Sequence, residues 1–188
     1  WRRFYRTAKS VNPEAVLIGE VWESAGHWLD GKLFDSTMNY DFRKHCRRFF
    51  ASGSIDAAAF DGRVTHMRMR YRRQSVYAQL NLLDSHDVSR FLSLCGGDRE
   101  AYELAVLFLM TFPGMPCLFY GDELGAEGVR EDAYRQAMPW GKADPLLAFY
   151  RTAIRLRKEI KALRRGTFRT VSAQEGSRLY VYERSLPG

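Results

Sequence analysis

Cysteine is scarce: Cys46, Cys95 and Cys117 are the only three in 188 residues. An odd number at irregular spacing fits neither a disulfide framework nor a zinc site, and the expectation is reduced, mostly buried thiols in a cytoplasmic protein. Long hydrophobic runs are missing too. The most apolar stretch, residues 104–112, falls far short of the roughly 20 residues that cross a bilayer, so no membrane partner is expected. Proline and glycine are sparse, 6 and 15 residues, and scattered, which excludes a low-complexity or collagen-like chain. Neither an initiating methionine nor a signal-type apolar run accompanies Trp1-Arg2-Arg3, so the sequence reads as a fragment of a longer protein. What it does have is apolar and aromatic surface, 46% and 14% of residues, enough to bury a core and to exclude disorder. Basic residues outnumber acidic ones, 29 to 22, for a net charge of +7.

Trp1, Phe4, Tyr5 and Ala8 recur at helical spacing and Asn12-Pro13 ends the pattern, which predicts an amphipathic helix up to about residue 11. Val16-Leu17-Ile18, running through Gly19 into Glu20-Val21-Trp22, predicts a strand buried on both faces. Further strands are expected at Leu33 to Tyr40, Tyr77 to Leu83 and Pro116 to Tyr120. Phe60, Val64, Met67 and Tyr71 form the stripe of a helix packed on a core. Residues 99–112 make a strongly apolar helix closed by Pro113-Gly114, and Asp144-Pro145 begins a last long helix running toward Leu163 and Gly166. Glu23 to Lys32, between the first two strands, leave room for a short helix at most. Strands alternating with helices predict an α/β fold of parallel strands and helical crossovers. Four such units make half of a (β/α)8 barrel of about 250 residues, or a whole small doubly wound sheet, and length alone does not choose. Beyond Gly166, Phe168 to Val171 and Leu179 to Tyr182, with a turn at Glu175-Gly176, predict a β-hairpin that opens a separate all-β unit over residues 167–188.

Each expected strand ends in polar residues that a buried strand does not need: Glu20; Asn39 and Tyr40; Asp84, His86 and Asp87; Asp122 and Glu123. In a parallel α/β fold these ends share one face, where active sites are built. Singly, a strand-end carboxylate can equally cap the next helix, and Asp122 fits that role as well as any other. Four such ends together point to a site. Glu20 is the sharpest candidate, because Val16 to Ile18, Val21 and Trp22 would strip water from it and favour the protonated form that a general acid needs. Trp22, Trp28 and Tyr40 can stack on the apolar faces of sugars, or equally pack as core and loop residues.

Ile18-Gly19-Glu20-Val21-Trp22 resembles the fifth-strand motif of the alpha-amylase superfamily, in which the Glu is the catalytic acid/base. Leu83-Asp84-Ser85-His86-Asp87 resembles its seventh-strand motif, and Phe119-Tyr120-Gly121-Asp122-Glu123-Leu124-Gly125 its eighth. With Met38-Asn39-Tyr40 and Met138-Pro139-Trp140, these make residues 1–166 similar to the second half of an amylase (β/α)8 TIM barrel. The neopullulanase, cyclomaltodextrinase and maltogenic amylase subgroup is nearest, and the hairpin resembles the start of the family's C-terminal β domain. The resemblance implies a retaining glycoside hydrolase acting on an α-glucan oligosaccharide. Glu20 would protonate the glycosidic oxygen and later deprotonate water; Asp87 would hold sugar hydroxyls and favour the oxocarbenium-like sugar. His86, Trp22, Asn39, Tyr40 and Arg90 would bind substrate. No cofactor is implied, with room for a structural calcium in the parent. Retention needs a second carboxylate about 5 to 5.5 Å from the acid. In the family it is an Asp two residues after an Arg on the fourth strand, upstream of the helix that Trp1 to Ser10 resembles, whereas only Glu14 precedes Glu20 here. The fragment alone is therefore expected to be inactive, and, with the edges of a half-barrel open, to self-associate. Val88-Ser89 stands where the subgroup often has Thr-Pro, leaving the substrate preference open.

Nucleic-acid binding is the rival suggested by net charge and by Arg68, Arg70, Tyr71, Arg72 and Arg73. On a helix those arginines take the faces left by the apolar stripe, so a solvated surface is expected instead and nucleic acid is not a predicted partner. His27, His45, His66 and His86 lack the i, i+4 pairing of a zinc helix, and no EF-hand-like run occurs. The third class, a non-catalytic carbohydrate-binding or interaction module on a barrel scaffold, is kept open by the missing nucleophile.

Overall fold

The computed structural model describes residues 1–186. Helix α1 (Arg2–Val11) leads to strand β1 (Ile18–Gly19), and β2 (Ser36–Asn39) runs straight into α2 (Tyr40–Cys46), which widens into a π-helical turn over Arg47–Ala51. There follow α3 (Ala57–Met69), α4 (Arg73–Ala78), β3 (Leu80–Leu82), α5 (Phe91–Leu94), α6 (Arg99–Thr111) and β4 (Met115–Cys117). Helices α7 (Glu131–Tyr134), α8 (Pro145–Glu159) and α9 (Lys161–Arg165) precede the hairpin of β5 (Thr167–Ala173) and β6 (Tyr180–Ser185).

Strands β1 to β4 form one sheet in chain order, with every neighbouring pair parallel. That order never reverses, so the sheet has no switch point of the doubly wound kind, and all four carboxyl ends lie on one edge. The strands are shorter than their apolar runs predict. Only two residues of the first run pair, and it is not buried on both faces: Val16 and Ile18 are 63% and 42% exposed, because β1 has a neighbour on one side alone. Gly19 is required by close approach, since a Cβ there would meet the Phe34 ring at 2.8 Å. Tyr77 belongs to α4 rather than to a strand, and its hydroxyl donates to the Gly166 carbonyl at 2.6 Å. Tyr71 lies past the end of α3, where its hydroxyl accepts from the Ala25 amide.

Helices α2, α3, α6 and α8 share one core, in which Phe42, Phe60, Phe108, Leu146 and Tyr150 are at most 2% exposed. The Phe60, Val64, Met67 stripe faces it. The hairpin enters the same core: Phe168 packs edge-on against Phe112 at 5.2 Å, and Tyr182 stacks on Phe168 at 5.0 Å. A smaller cluster of Leu17, Ala25, Leu29 and Phe34, with Trp28 packed against it, lies beside β1. The basic run is not uniformly solvated. Arg70 pairs with Asp41 at 2.5 Å and Arg68 lies over the Phe168 ring at 4.7 Å, leaving Arg72 and Arg73 exposed. Cys46 and Cys95 are buried, Cys117 is half-buried, and all three are free thiols. Among the described residues no helix is long and apolar enough to cross a membrane.

The start of α8 shows how one side chain terminates an element. Asp144 accepts from the Leu146 amide at 3.0 Å, Pro145 takes the first helical position, and the Arg99 guanidinium grips both carboxylate oxygens at 2.6 and 2.8 Å. That guanidinium, more than the amide, holds the Asp144 carboxyl down at about 2. A depressed carboxylate stabilises the fold above the unfolded value of about 4, and its contribution is lost as pH falls through the folded value. Asp144→Ala should therefore cost about 1 kcal/mol at neutral pH. The gap from the parent should close in urea melts as pH falls below about 4; an equal gap across that window would disprove the linkage.

Candidate active site

Three strand ends meet at the carboxyl edge of the sheet. Glu20 directly follows β1, Tyr40 opens α2 at the end of β2, and Ser85, His86 and Asp87 lie just past β3. One ligand atom each from Glu20, His86 and Asp87 lies within 4.8 Å of the other two. The Tyr40 hydroxyl donates to Glu20 Oε1 at 3.0 Å and lies 3.1 Å from Ser85 Oγ. Burial first, then the Glu20 carboxylate, pushes that hydroxyl up to about 12 against the opposing pull of the Ser85 hydrogen bond, so it remains a donor at neutral pH. Trp22 stacks on the Tyr40 ring, centroids 3.9 Å apart and planes 13° from parallel. Tyr40 is buried beneath it while Trp22 is 52% exposed, presenting a flat apolar surface of the kind that sugar rings cover.

Asp87 is held from several sides. Its Oδ1 accepts from Arg135 Nη2 at 2.7 Å, its Oδ2 lies 3.2 Å from His86 Nε2, and its amide donates to Ser85 Oγ at 3.2 Å. Arg135 Nε also donates to the His86 carbonyl at 2.7 Å, so one guanidinium fixes both the acid and the loop beneath it. Glu20 itself is exposed. The desolvation expected from its neighbours is not found, because Val16, Ile18 and Trp22 reach solvent along the same edge strand.

Two residues expected to touch substrate turn inward instead. Asn39 Nδ2 donates to Asn81 Oδ1 at 2.8 Å, across the β2–β3 register, while its Oδ1 caps α2 by accepting from the Phe42 amide at 3.1 Å. Arg90 is 1% exposed: Nη1 donates to the Tyr120 carbonyl at 2.7 Å and to Asp122 Oδ1 at 2.8 Å, and the guanidinium lies 4.2 Å from the Phe119 ring centre. Asn39 thereby fixes the start of the helix that Tyr40 opens, and Arg90 ties the segment just after Asp87 to the Tyr120 and Tyr134 carbonyls. Asp122 is not a helix cap either; Gly121, at φ +84°, takes that position, and the carboxylate faces Arg90. Trp28 packs beside Phe34, the core role left open for it.

Glu20, His86 and Asp87 are spaced to share a cation, but calcium takes six to eight oxygens and Arg135 already supplies the positive charge at Asp87. The donor set does not fit a calcium site. Sequence reasoning missed Arg135, which caps the short helix α7 and pairs with Glu131 one turn back, local signals that say nothing of Asp87, 48 residues away. Ser85 stands within Leu83-Asp84-Ser85-His86-Asp87, and its place among two acids and a histidine is the signal that marks it.

The alpha amylase catalytic-domain profile matches residues 1–143. The sequence is 44% identical over 189 aligned positions to neopullulanase 2 of Thermoactinomyces vulgaris, covering 99% of this chain and 32% of that protein. A solved cyclomaltodextrinase superposes with a TM-score of 0.96 at 42% identity, covering 98% of this chain and 32% of that one. The cyclic α-maltosyl-(1→6)-maltose hydrolase of Arthrobacter globiformis, solved with maltose, gives 0.89 at 34% identity over 93% of this chain and 41% of that one. The chain spans about a third of the length of the curated relatives.

Proposed function

The chain belongs to the alpha-amylase catalytic-domain family, and from that premise we propose that it carries the acid/base side of a retaining glycoside hydrolase acting on α-glucan oligosaccharides. The observation that carries this reading is the convergence of Glu20 and Asp87, from different strands, beside the exposed face of Trp22. Glu20, with Tyr40 donating to it, protonates the leaving glycosidic oxygen and then takes a proton from the incoming water. Asp87, oriented by Arg135, supplies negative charge to the oxocarbenium-like sugar, and His86 hydrogen-bonds a hydroxyl beside it. The unreversed parallel sheet supports residues 1–166 as the second half of a TIM barrel, with the hairpin beginning a C-terminal β domain.

The nucleophile is assigned to a strand outside these residues. Asp35 is tied to the Leu17 amide, Lys9 and the Tyr5 hydroxyl, and Asp122 is buried against Arg90, so neither can attack a sugar. The isolated chain should then release no reducing ends from maltodextrin or cyclodextrin. It should also self-associate in light scattering, because Trp1 and Phe4, 63% and 57% exposed, flank an apolar cleft of about 550 Å³ along the open edge of β1. Joined to a barrel half bearing an Arg-x-Asp strand, it should hydrolyse both glucans. Glucan binding without turnover in that complete protein would favour a binding module, and a soluble, active monomer of the isolated chain would overturn the assignment of the nucleophile.

A further inference from the structure

Behind the site lies a cluster that the proposed mechanism does not use. Asp84 and Asp122 are 2% and 4% exposed. Asp84 Oδ2 accepts from the Phe91 amide at 2.9 Å and so closes the loop that carries His86 and Asp87. Its Oδ1 is buried without an N–H or O–H partner among the described residues, and the Asp122 carboxyl lies within hydrogen-bonding reach of the Asp84 side chain. Two ionised carboxylates in contact and shielded from water repel; one proton between them converts the contact into a hydrogen bond.

The surrounding charges fit one proton. Arg90 donates to Asp122 and not to Asp84. Arg43, the other cation near Asp84, has its Nε and Nη2 occupied by the Leu83 and Ser89 carbonyls at 2.7 and 2.8 Å. From α6 and α8 the facing groups are the Tyr102 and Tyr150 hydroxyls, 2.6 Å apart, and the Cys95 and Cys117 thiols lie nearby; burial raises all four and keeps them neutral. The Glu123 charge also bears on Tyr150.

We infer that Asp84 and Asp122 share a single proton across their contact, and that this pair positions Asp87. The positioning half rests on the functional reading above. Two routes carry the constraint. Asp84 anchors the loop through the Phe91 amide, while Asp122 holds Arg90, whose Nε donates to the Tyr134 carbonyl at 3.2 Å, next to the Arg135 that grips Asp87. Burial raises both carboxyls, so the pair keeps its proton at neutral pH. Losing it at alkaline pH puts like charges in contact and loosens both routes at once.

Infrared spectra of the wild-type chain at neutral pH should show a protonated-carboxyl band that is absent in Asp84→Asn, whose amide donates to Asp122 in place of the proton. Asp84→Asn should melt close to the parent, whereas Asp122→Asn, which leaves Arg90 buried without its counter-charge, should melt roughly 10 °C lower. In the complete enzyme the alkaline limb of the rate should move to higher pH in Asp84→Asn. A spectrum without the band, or equal losses in the two variants, would overturn the shared proton. Superimposable alkaline limbs would overturn the positioning role. If no form hydrolyses glucan, the functional reading and the positioning role fall together, while the band and the melting points still decide the proton.

Discussion

Glu20→Gln is expected to remove nearly all α-glucan hydrolysis from a protein that holds the complete catalytic set, with the fold intact. The amide oxygen can still accept the Tyr40 hydrogen bond, but the side chain can no longer deliver a proton to the glycosidic oxygen or take one from water. General acid/base catalysis contributes typically about 10²- to 10⁴-fold, so kcat on maltodextrin should fall by that factor. The loss should be smaller on a substrate with a good leaving group. In the isolated chain, where Glu20 is exposed, the substitution should leave the melting midpoint unmoved. An unchanged rate on a poorly activated glucan would reject the assignment. Asp87→Asn keeps an oxygen for Arg135 and loses the charge, so kcat should fall more than KM rises. Weakened binding at full turnover would remove Asp87 from transition-state stabilisation.

The second large effect concerns stability. Phe108 on α6 lies with ring centroids 5.1 to 5.7 Å from Phe42, Phe50, Phe60, Phe112 and Tyr182, which come from α2, the π turn, α3, the end of α6 and β6. Truncation leaves a cavity that five elements cannot all close, and Phe108→Ala should cost about 3 to 5 kcal/mol. That is a large share of the 5 to 15 kcal/mol typical of a folded domain. Helical ellipticity and near-ultraviolet tyrosine signals should be lost in one transition at lower urea, since the hairpin tyrosines and the helices share this ring. Two separate transitions, with the hairpin signal unaffected by the substitution, would show that β5 and β6 stand apart from the core.

Much of the architecture was legible because its causes are local. A helix must bury one face, so the Phe60, Val64, Met67 stripe declares α3 without knowledge of its partner. The Asp144-Pro145 cap likewise marks the first residue of α8 through contacts within one turn. The candidate acids Glu20 and Asp87, with His86, were legible because each lies within four residues of the end of a short apolar run, and a parallel sheet brings such ends to one edge. The limits of the strands were not legible: pairing partners set them, and these lie in other segments.

Side-chain direction escaped the sequence for the same reason. Asn39 and Arg90 occupy strand-end and loop positions suited to substrate, yet Asn81 lies opposite the first and Asp122, 32 residues away, faces the second, and both turn inward. Arg135 reaches Asp87 from 48 residues away. The exposure of Glu20 depends on β1 having a neighbour on one side alone, a property of the assembled sheet. Periodicity and capping act between residues a few positions apart and can be read along the chain. Orientation, burial and the sharing of charge are set by groups that meet only once the chain has folded.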